Sequence, residues 1–416
     1  MHNFSSYSRL KPLFLIKLLF LSGLLFFRSP STLLHAQFWG EDGWVWFPDA
    51  YHLKIHSLIM AHTGYFQTVS RLIALIGQAF PLRWNPTFYA ACAFIFQLLP
   101  AAFITSTRCK NLIPNDSLRF FLACLLCTLP NTNEVYVNLT NSQWHLAILA
   151  FLIIFSSPPE NLFEKTFDYS FLTLSSLSGP FCLLLLPLAI IHTYFQKNKT
   201  NIQRLIILIS STFIQLIPLI TTSHTTRIHT VLGARIGTLL QLLTSQLFLS
   251  PIIGHNHINR LYQSFFWKGP LFPLFVTILC LYICLRMAKK SSFVRYLLLF
   301  ATLVLTASLM NPIVSTTTPQ WNALLIPDTG MRYFFIPLFA WSTTLTIAAF
   351  SGPFFVRAIS FGLLLIGLFI GIPTDYSIPT EPDRNFQSAA DAFDKAPIGT
   401  TITIPVRPNS SQKITK

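Results

Sequence analysis

Leu13-Phe14-Leu15-Ile16-Lys17-Leu18-Leu19-Phe20-Leu21-Ser22-Gly23-Leu24-Leu25-Phe26-Phe27-Arg28 is the first long apolar run of the chain, and its reading decides the fold. A bilayer core asks for about 20 apolar residues per helix, so the sequence predicts a membrane span near residues 11–28. Arg9 and Lys11 precede it, and Arg28 with Pro30 ends it as an anchor does rather than as a cleaved leader would. The same ruler places further spans near 87–106, 118–131, 143–157, 163–178, 180–196, 203–222, 271–287, 294–310, 333–350 and 354–373. Composition agrees: 52% of the 416 residues are hydrophobic, 10% are charged and 40 are Phe. Soluble domains carry about 25% charged residues. The expected fold class is therefore an all-α polytopic membrane protein with about 11 transmembrane helices.

The net charge of +15 arises from 29 Lys and Arg scattered against only 14 Asp and Glu. It reflects a scarcity of acids rather than a basic patch, which argues against a nucleic-acid partner. Basic residues such as Arg108, Lys110, Lys165, Lys197, Arg204, Lys289, Lys290 and Arg357 fall in the short loops of one side, at roughly three times the density of the other side. This predicts an N-in, C-out chain. Residues 1–373 form the membrane domain, with long outer loops at 29–86, 223–270 and 311–332. Residues 374–416 form a small extracytoplasmic α/β tail, a helix followed by a strand at 400–404, too short for its own core. The stretch 163–196 is expected to fold back at Gly179 and Pro180. The segment 235–250 is too polar at Gln241, Ser245 and Gln246 for a clear span, and either lies along the interface, re-enters or crosses. The seven cysteines lie in apolar runs and read as small hydrophobes.

With so few carboxylates, each position carries information, because an ionised group near hydrocarbon costs several kcal/mol. Asp116, Glu160, Glu164 and Asp168 fall in inner loops, and Asp375, Glu381, Asp383, Asp391 and Asp394 in the tail; all nine read as solvated. Glu41, Asp42, Asp49, Glu134 and Asp328 remain, all on the outer side near span ends. Glu41 and Asp42 lie in Phe38-Trp39-Gly40-Glu41-Asp42-Gly43-Trp44-Val45-Trp46-Phe47. Adjacent carboxylates wrapped by aromatic rings at a membrane interface would have a raised pKa, as a general base near neutral pH requires. The pair would equally suit a divalent cation such as Mg or Mn, which takes oxygen ligands. Glu134, in the amide-rich loop Asn131–Asn138, suits recognition of sugar hydroxyls. Asp49, His52 and His56 share one helical face, as metal ligands or as the wet side of an interfacial helix. His255 and His257 read as solvated, and His145 as part of an aromatic belt.

An acidic pair in the first outer loop of a multi-span, N-in chain resembles the GT-C superfamily of polyprenyl-phosphate-sugar glycosyltransferases. The resemblance is closest to bacterial members with a Glu-Asp-Gly motif, here Glu41-Asp42-Gly43, followed by Gly64-Tyr65 and Arg71-Leu72. Further matches are Asn141, Gln143 and Trp144; Ser178-Gly179-Pro180-Phe181; Gly330-Met331-Arg332-Tyr333-Phe334 with Pro337; and Gly399–Pro405 in the tail. The resemblance implies an enzyme of the bacterial inner membrane that takes a sugar from a lipid-linked donor to a glycan, lipid or protein acceptor on the extracytoplasmic face. Asp42 or Glu41 would act as base or hold the cation. Arg332, with Arg71 second, would meet the leaving phosphate, since guanidinium grips phosphate through paired hydrogen bonds. Tyr65, Glu134, Asn141, Gln143, Trp144 and Tyr333 would contact substrate. A flippase of lipid-linked saccharides would use similar groups, but is expected to carry mid-membrane charges and repeated halves. A non-catalytic assembly protein would need neither acid.

Overall fold

The computed structural model describes residues 4–222, 230–267 and 269–416; the start of the expected outer loop 223–270 and Lys268 lie outside the described residues. Helices occupy the expected apolar runs to within a few residues, from Phe4–Phe26 and Asn85–Thr105 to Ser292–Met310 and Phe335–Ser351. Seven helical stretches are long and apolar enough to cross a membrane: 82–105, 199–221, 236–253, 271–290, 292–310, 331–351 and 354–375. Shorter apolar helices occur at 12–26, 142–155 and 181–195. The stretch 163–196 is two helices, Leu162–Ser176 and Phe181–Phe195, joined at Gly179.

Two helices form the centre of the bundle. Every residue of Ser142–Phe155 is buried, and so is nearly every residue of Phe335–Ser351. Both are mostly apolar and buried on all faces, the signature of a helix wrapped by others rather than one with a single core-facing stripe. Rings fill the space between them and their neighbours, as where Phe151 stacks on Phe300. These helices position the site, because the polar segments leading into their N-termini, 138–141 and 330–334, are delivered to one end of the bundle.

The segment left open by the sequence is an 18-residue helical stretch, 236–253, with a π-helical turn over Leu243–Leu249. Its entry is held by Gln320 and Trp321, whose amides donate to the carbonyls of Val231 and Leu232. Its exit is held by Asp375, which accepts from His255 through the backbone amide at 3.2 Å and through Nδ1 at 2.6 Å. Asp375 also accepts from Asn131 N at 3.1 Å and is 2% exposed. The expectation that Asp375 and His255 are solvated is thus corrected: the carboxylate knots three segments together.

Asp168 is corrected in the same way. It is fully buried, with Oδ1 accepting from Arg108 Nη1 at 2.5 Å and Oδ2 from Arg108 Nη2 at 2.6 Å and Arg204 Nη2 at 2.8 Å. The remaining guanidinium hydrogens go mainly to carbonyls at the end of the central helix, including Ser156 O and Ser157 O. Asp168 lies on the inward face of its helix with Leu172, Ser175 and Ser176, so the turn that carries it packs against protein rather than water.

The tail contains the helix Phe386–Lys395 and an antiparallel hairpin of β1 (Thr401–Val406) and β2 (Ser410–Thr415). The helix begins after Asn385, while Asp383 accepts from Asn385 N and Gln37 Nε2. The segment 38–40 pairs with the end of β1: Arg407 N donates to Phe38 O at 2.8 Å, and Gly40 N to Arg407 O at 2.9 Å. Phe38, Trp46, Phe47, Phe386, Phe393 and Val406 share one core. Gly43 is required by this docking, since a Cβ there would lie 2.6 Å from Val406 Cγ2.

Candidate active site

Asp42 opens a π-helical turn, Asp42–Trp46, that leads directly into the helix Phe47–Leu53. The turn points the carboxylate at the segment before the central helix Ser142–Phe155. Oδ2 accepts from Leu139 N at 3.1 Å; Oδ1 accepts from Thr140 N at 2.9 Å and Thr140 Oγ1 at 2.7 Å. The positive end of that helix favours an anion there. Asp42 is 4% exposed. Burial raises its pKa to about 7, the Thr140 hydroxyl and the two amides pull it down, and the charge of Glu41 adds a smaller push upward. A carboxyl poised near neutrality can take up a proton and release it again.

The walls around Asp42 come from residues far apart in the chain. Trp46 donates its indole N–H to Thr140 Oγ1 at 2.8 Å, which fixes the hydroxyl that caps Asp42. The Arg71 guanidinium lies 5.1 Å from the Trp46 ring centre and is paired with Asp49 at 3.0 Å. This corrects the shared helical face of Asp49, His52 and His56. The helix ends at Leu53, Lys54 has φ of 52°, and Asp49 serves Arg71. His62 packs edge-on to Trp46, and burial lowers its pKa, with Arg71 pushing the same way against Glu41 and Asp49.

Arg332 and Glu134 form the second half of the site. The Arg332 guanidinium pairs with Glu134 Oε1, and the Arg332 amide donates to Glu134 Oε2 at 3.0 Å. Arg332 Nη2 also donates to Ile313 O and Tyr333 Oη. Glu41 and Tyr65 lie within electrostatic reach of Arg332. Asn141 supports the loop from below, its Nδ2 donating to Glu134 O at 2.9 Å. Trp144 stands edge-on to both Tyr333 and Phe181. Gly179, at φ of +93°, passes so close to Gln143 that a Cβ would collide with its Oε1. The turn around it is tied to the residues after Tyr65, with Gly179 N donating to Phe66 O at 2.9 Å.

The ten sequence-predicted residues are linked unevenly: Arg332 and Asn141 bond Glu134, Tyr333 meets Arg332 and Trp144, and Glu41 and Tyr65 lie within electrostatic reach of Arg332, whereas Arg71 reaches the Asp42 turn through Trp46 and Gln143 bonds Thr140 O. Of the ten, Asp42 and Glu134 line a cavity of about 450 Å³, whose wall also includes Ile378, Glu381 and Arg407 of the tail. Sequence reasoning missed Thr140, Trp46, Tyr89 and Arg407. Thr140 stands in Asn138-Leu139-Thr140, which carries the signal of a glycosylation acceptor; the Asn138 side chain is instead 6% exposed and bonded to Glu134 O and Asn141 N.

Both Asp42 oxygens are already engaged by three donors, and among the described residues no three His, Cys, Asp or Glu side chains converge as metal ligands. Comparison of the chain with protein-family models, curated proteins and solved structures returns no match.

Proposed function

We propose that the chain is a membrane-embedded glycosyltransferase of GT-C type that moves a sugar from a polyprenyl-phosphate donor to an extracytoplasmic acceptor. The observation that carries this reading is Asp42: a buried carboxyl with a pKa near 7, held by neutral donors only, in the wall of a ligand-sized cavity beside an Arg–Glu pair. In the reaction, the acceptor O–H bond breaks and its proton passes to an Asp42 oxygen. The acceptor oxygen bonds to the anomeric carbon, and the bond from that carbon to phosphate breaks with its electron pair going to phosphate. Arg332 meets the departing charge, with phosphate replacing Glu134 on the guanidinium. Glu134 is then free to accept a hydrogen bond from a sugar hydroxyl.

In this reading the chain sits in the inner membrane, N-in and C-out, with eleven crossings. The helix 236–253 lies along the outer boundary, since its ends are held by 320–321 and Asp375, which face outward together with the tail. The test is transfer of labelled sugars from polyprenyl phosphates by the purified chain, comparing wild type with Asp42→Asn, Glu41→Gln and Arg332→Gln. Full transfer by Asp42→Asn would sink the mechanism. A reporter fused after Lys416 should be active outside the cytoplasm; a cytoplasmic signal would overturn the crossing count.

A further inference from the structure

A second opening, a groove of about 260 Å³, lies on the flank of the bundle between the helices Leu271–Lys290 and Ser292–Met310. Its walls are two stripes at helical spacing: Leu281, Leu285 and Ala288 on one helix, and Arg295, Leu299 and Thr302 on the other. Leu281, Leu285, Leu299 and Arg295 are exposed, so an occupant reaches them directly. The polar groups along the groove are already engaged. Thr302 Oγ1 donates to Leu298 O at 2.8 Å, and the indole of Trp341, which backs the groove from the central helix, donates to Phe248 O at 3.1 Å. Apolar space that offers water no partner stays dry, so the middle of the groove suits hydrocarbon.

The two ends differ, and that difference identifies the occupant. One end is apolar, at Leu247, Leu305 and Pro337, and Arg295 at the other is the one charged residue of the described lining. The stretch from Arg295 to Leu305 covers about 15 Å of helix, half of a bilayer core of about 30 Å and so the depth of one leaflet. The Arg295 side chain makes no ion pair or hydrogen bond among the described residues. Arg286, Lys289 and Lys290 precede it around the same turn, and no Asp or Glu occurs anywhere between Asp168 and Asp328. Negative charge at this end must come from outside the chain, and basic pockets between membrane helices take anionic headgroups. We propose that the groove binds one anionic phospholipid, with an acyl chain between the two helices and the phosphate on Arg295. Arg295 lies at the opposite end of its helix from the Ile313 carbonyl that binds Arg332. The lipid therefore belongs to the leaflet away from Asp42, and its site does not depend on the transferase reading.

The experiment is native mass spectrometry of the full chain in mild detergent, titrated with phosphatidylglycerol and with phosphatidylcholine of the same acyl chains. One phosphatidylglycerol should be retained at concentrations where phosphatidylcholine is not. Arg295→Gln should weaken that retention about fivefold, the worth of one basic residue at a membrane surface. Arg286→Gln removes the same charge from an exposed position outside the groove and should leave retention near wild type. Ala288→Phe fills the groove at its half-buried wall, keeps the charge, and should abolish the retained lipid. Equal retention of the two lipids, equal losses in Arg295→Gln and Arg286→Gln, or wild-type retention by Ala288→Phe would overturn the proposal. Tighter retention of a polyprenyl phosphate than of phosphatidylglycerol would overturn it too, by giving the groove to a different lipid. Both arginine side chains are exposed, so their comparison decides the matter even if Ala288→Phe fails to fold.

Discussion

Asp42 and Asp168 are both buried carboxylates in an apolar bundle, and they differ in what surrounds them. Asp168 is clasped by two guanidiniums, Arg108 and Arg204, with Glu164 3.9 Å from Arg108. Asp42 receives one hydroxyl and two amides, none of them charged, and lines a cavity. Asp168 is a tie between helices, its charge balanced by cations that themselves bond the end of the central helix. Asp42 is held in place without its charge being neutralised, which leaves its proton exchangeable. Burial alone does not mark a reactive carboxylate; burial without a cationic partner, beside open volume, does.

The sharpest way to break this contrast is to remove each carboxylate in turn. Asp42→Asn should lower transfer by about 10²- to 10⁴-fold, the range for losing a general base, with its unfolding midpoint close to wild type. Asp168→Ala should do the opposite: stability in detergent unfolding falls by about 3–5 kcal/mol, because two buried guanidiniums lose their counter-charge, while the folded fraction keeps its rate. An Asp168→Ala protein as stable as wild type would erase the distinction.

A smaller effect tests the tail's share in the Asp42 region. Gly43→Ala places a methyl against Val406 and should cost about 1–3 kcal/mol as overpacking, seen as faster proteolysis of the tail with the membrane helices intact. The smallest effects sharpen the electrostatics. Asp42 works as a base only when ionised, so the rate should rise with pH through about 7. Thr140→Val removes a hydroxyl that holds the pKa down and should move this limb to higher pH. Glu41→Gln removes a neighbouring negative charge that holds it up and should move the limb lower. Shifts in the same direction for both variants would show that another group controls the limb.

Helix positions were legible because a membrane helix needs a long apolar run and little else in the sequence produces one. The centre of the site was legible for a related reason: carboxylates are scarce, and Glu41, Asp42 and Glu134 stood out near span ends. Asp168 was misread because the positive residues that orient a chain, Arg108 and Arg204 among them, look the same whether they meet water or a buried partner. Asp375 was misread as part of a polar tail, although its helix runs on to that residue. Tyr89 looks like a belt aromatic and Arg407 like a solubilising tail residue. Their place in the cavity depends on how the tail docks, a contact between segments more than 300 residues apart that no local pattern encodes.

The cavity wall at Ile378, Glu381 and Arg407 lies beyond every membrane helix in the chain. Arg407 is therefore made when most of those helices have already left the ribosome. A nascent chain can therefore be largely inserted and still lack the end of β1 that bonds Phe38 and Gly40 beside the turn carrying Asp42. Completion of the wall comes later than most of the insertion, and a frameshift near residue 400 should strip Ile404, Val406 and Ile414 from the core they share with Phe38, Trp46 and Phe47.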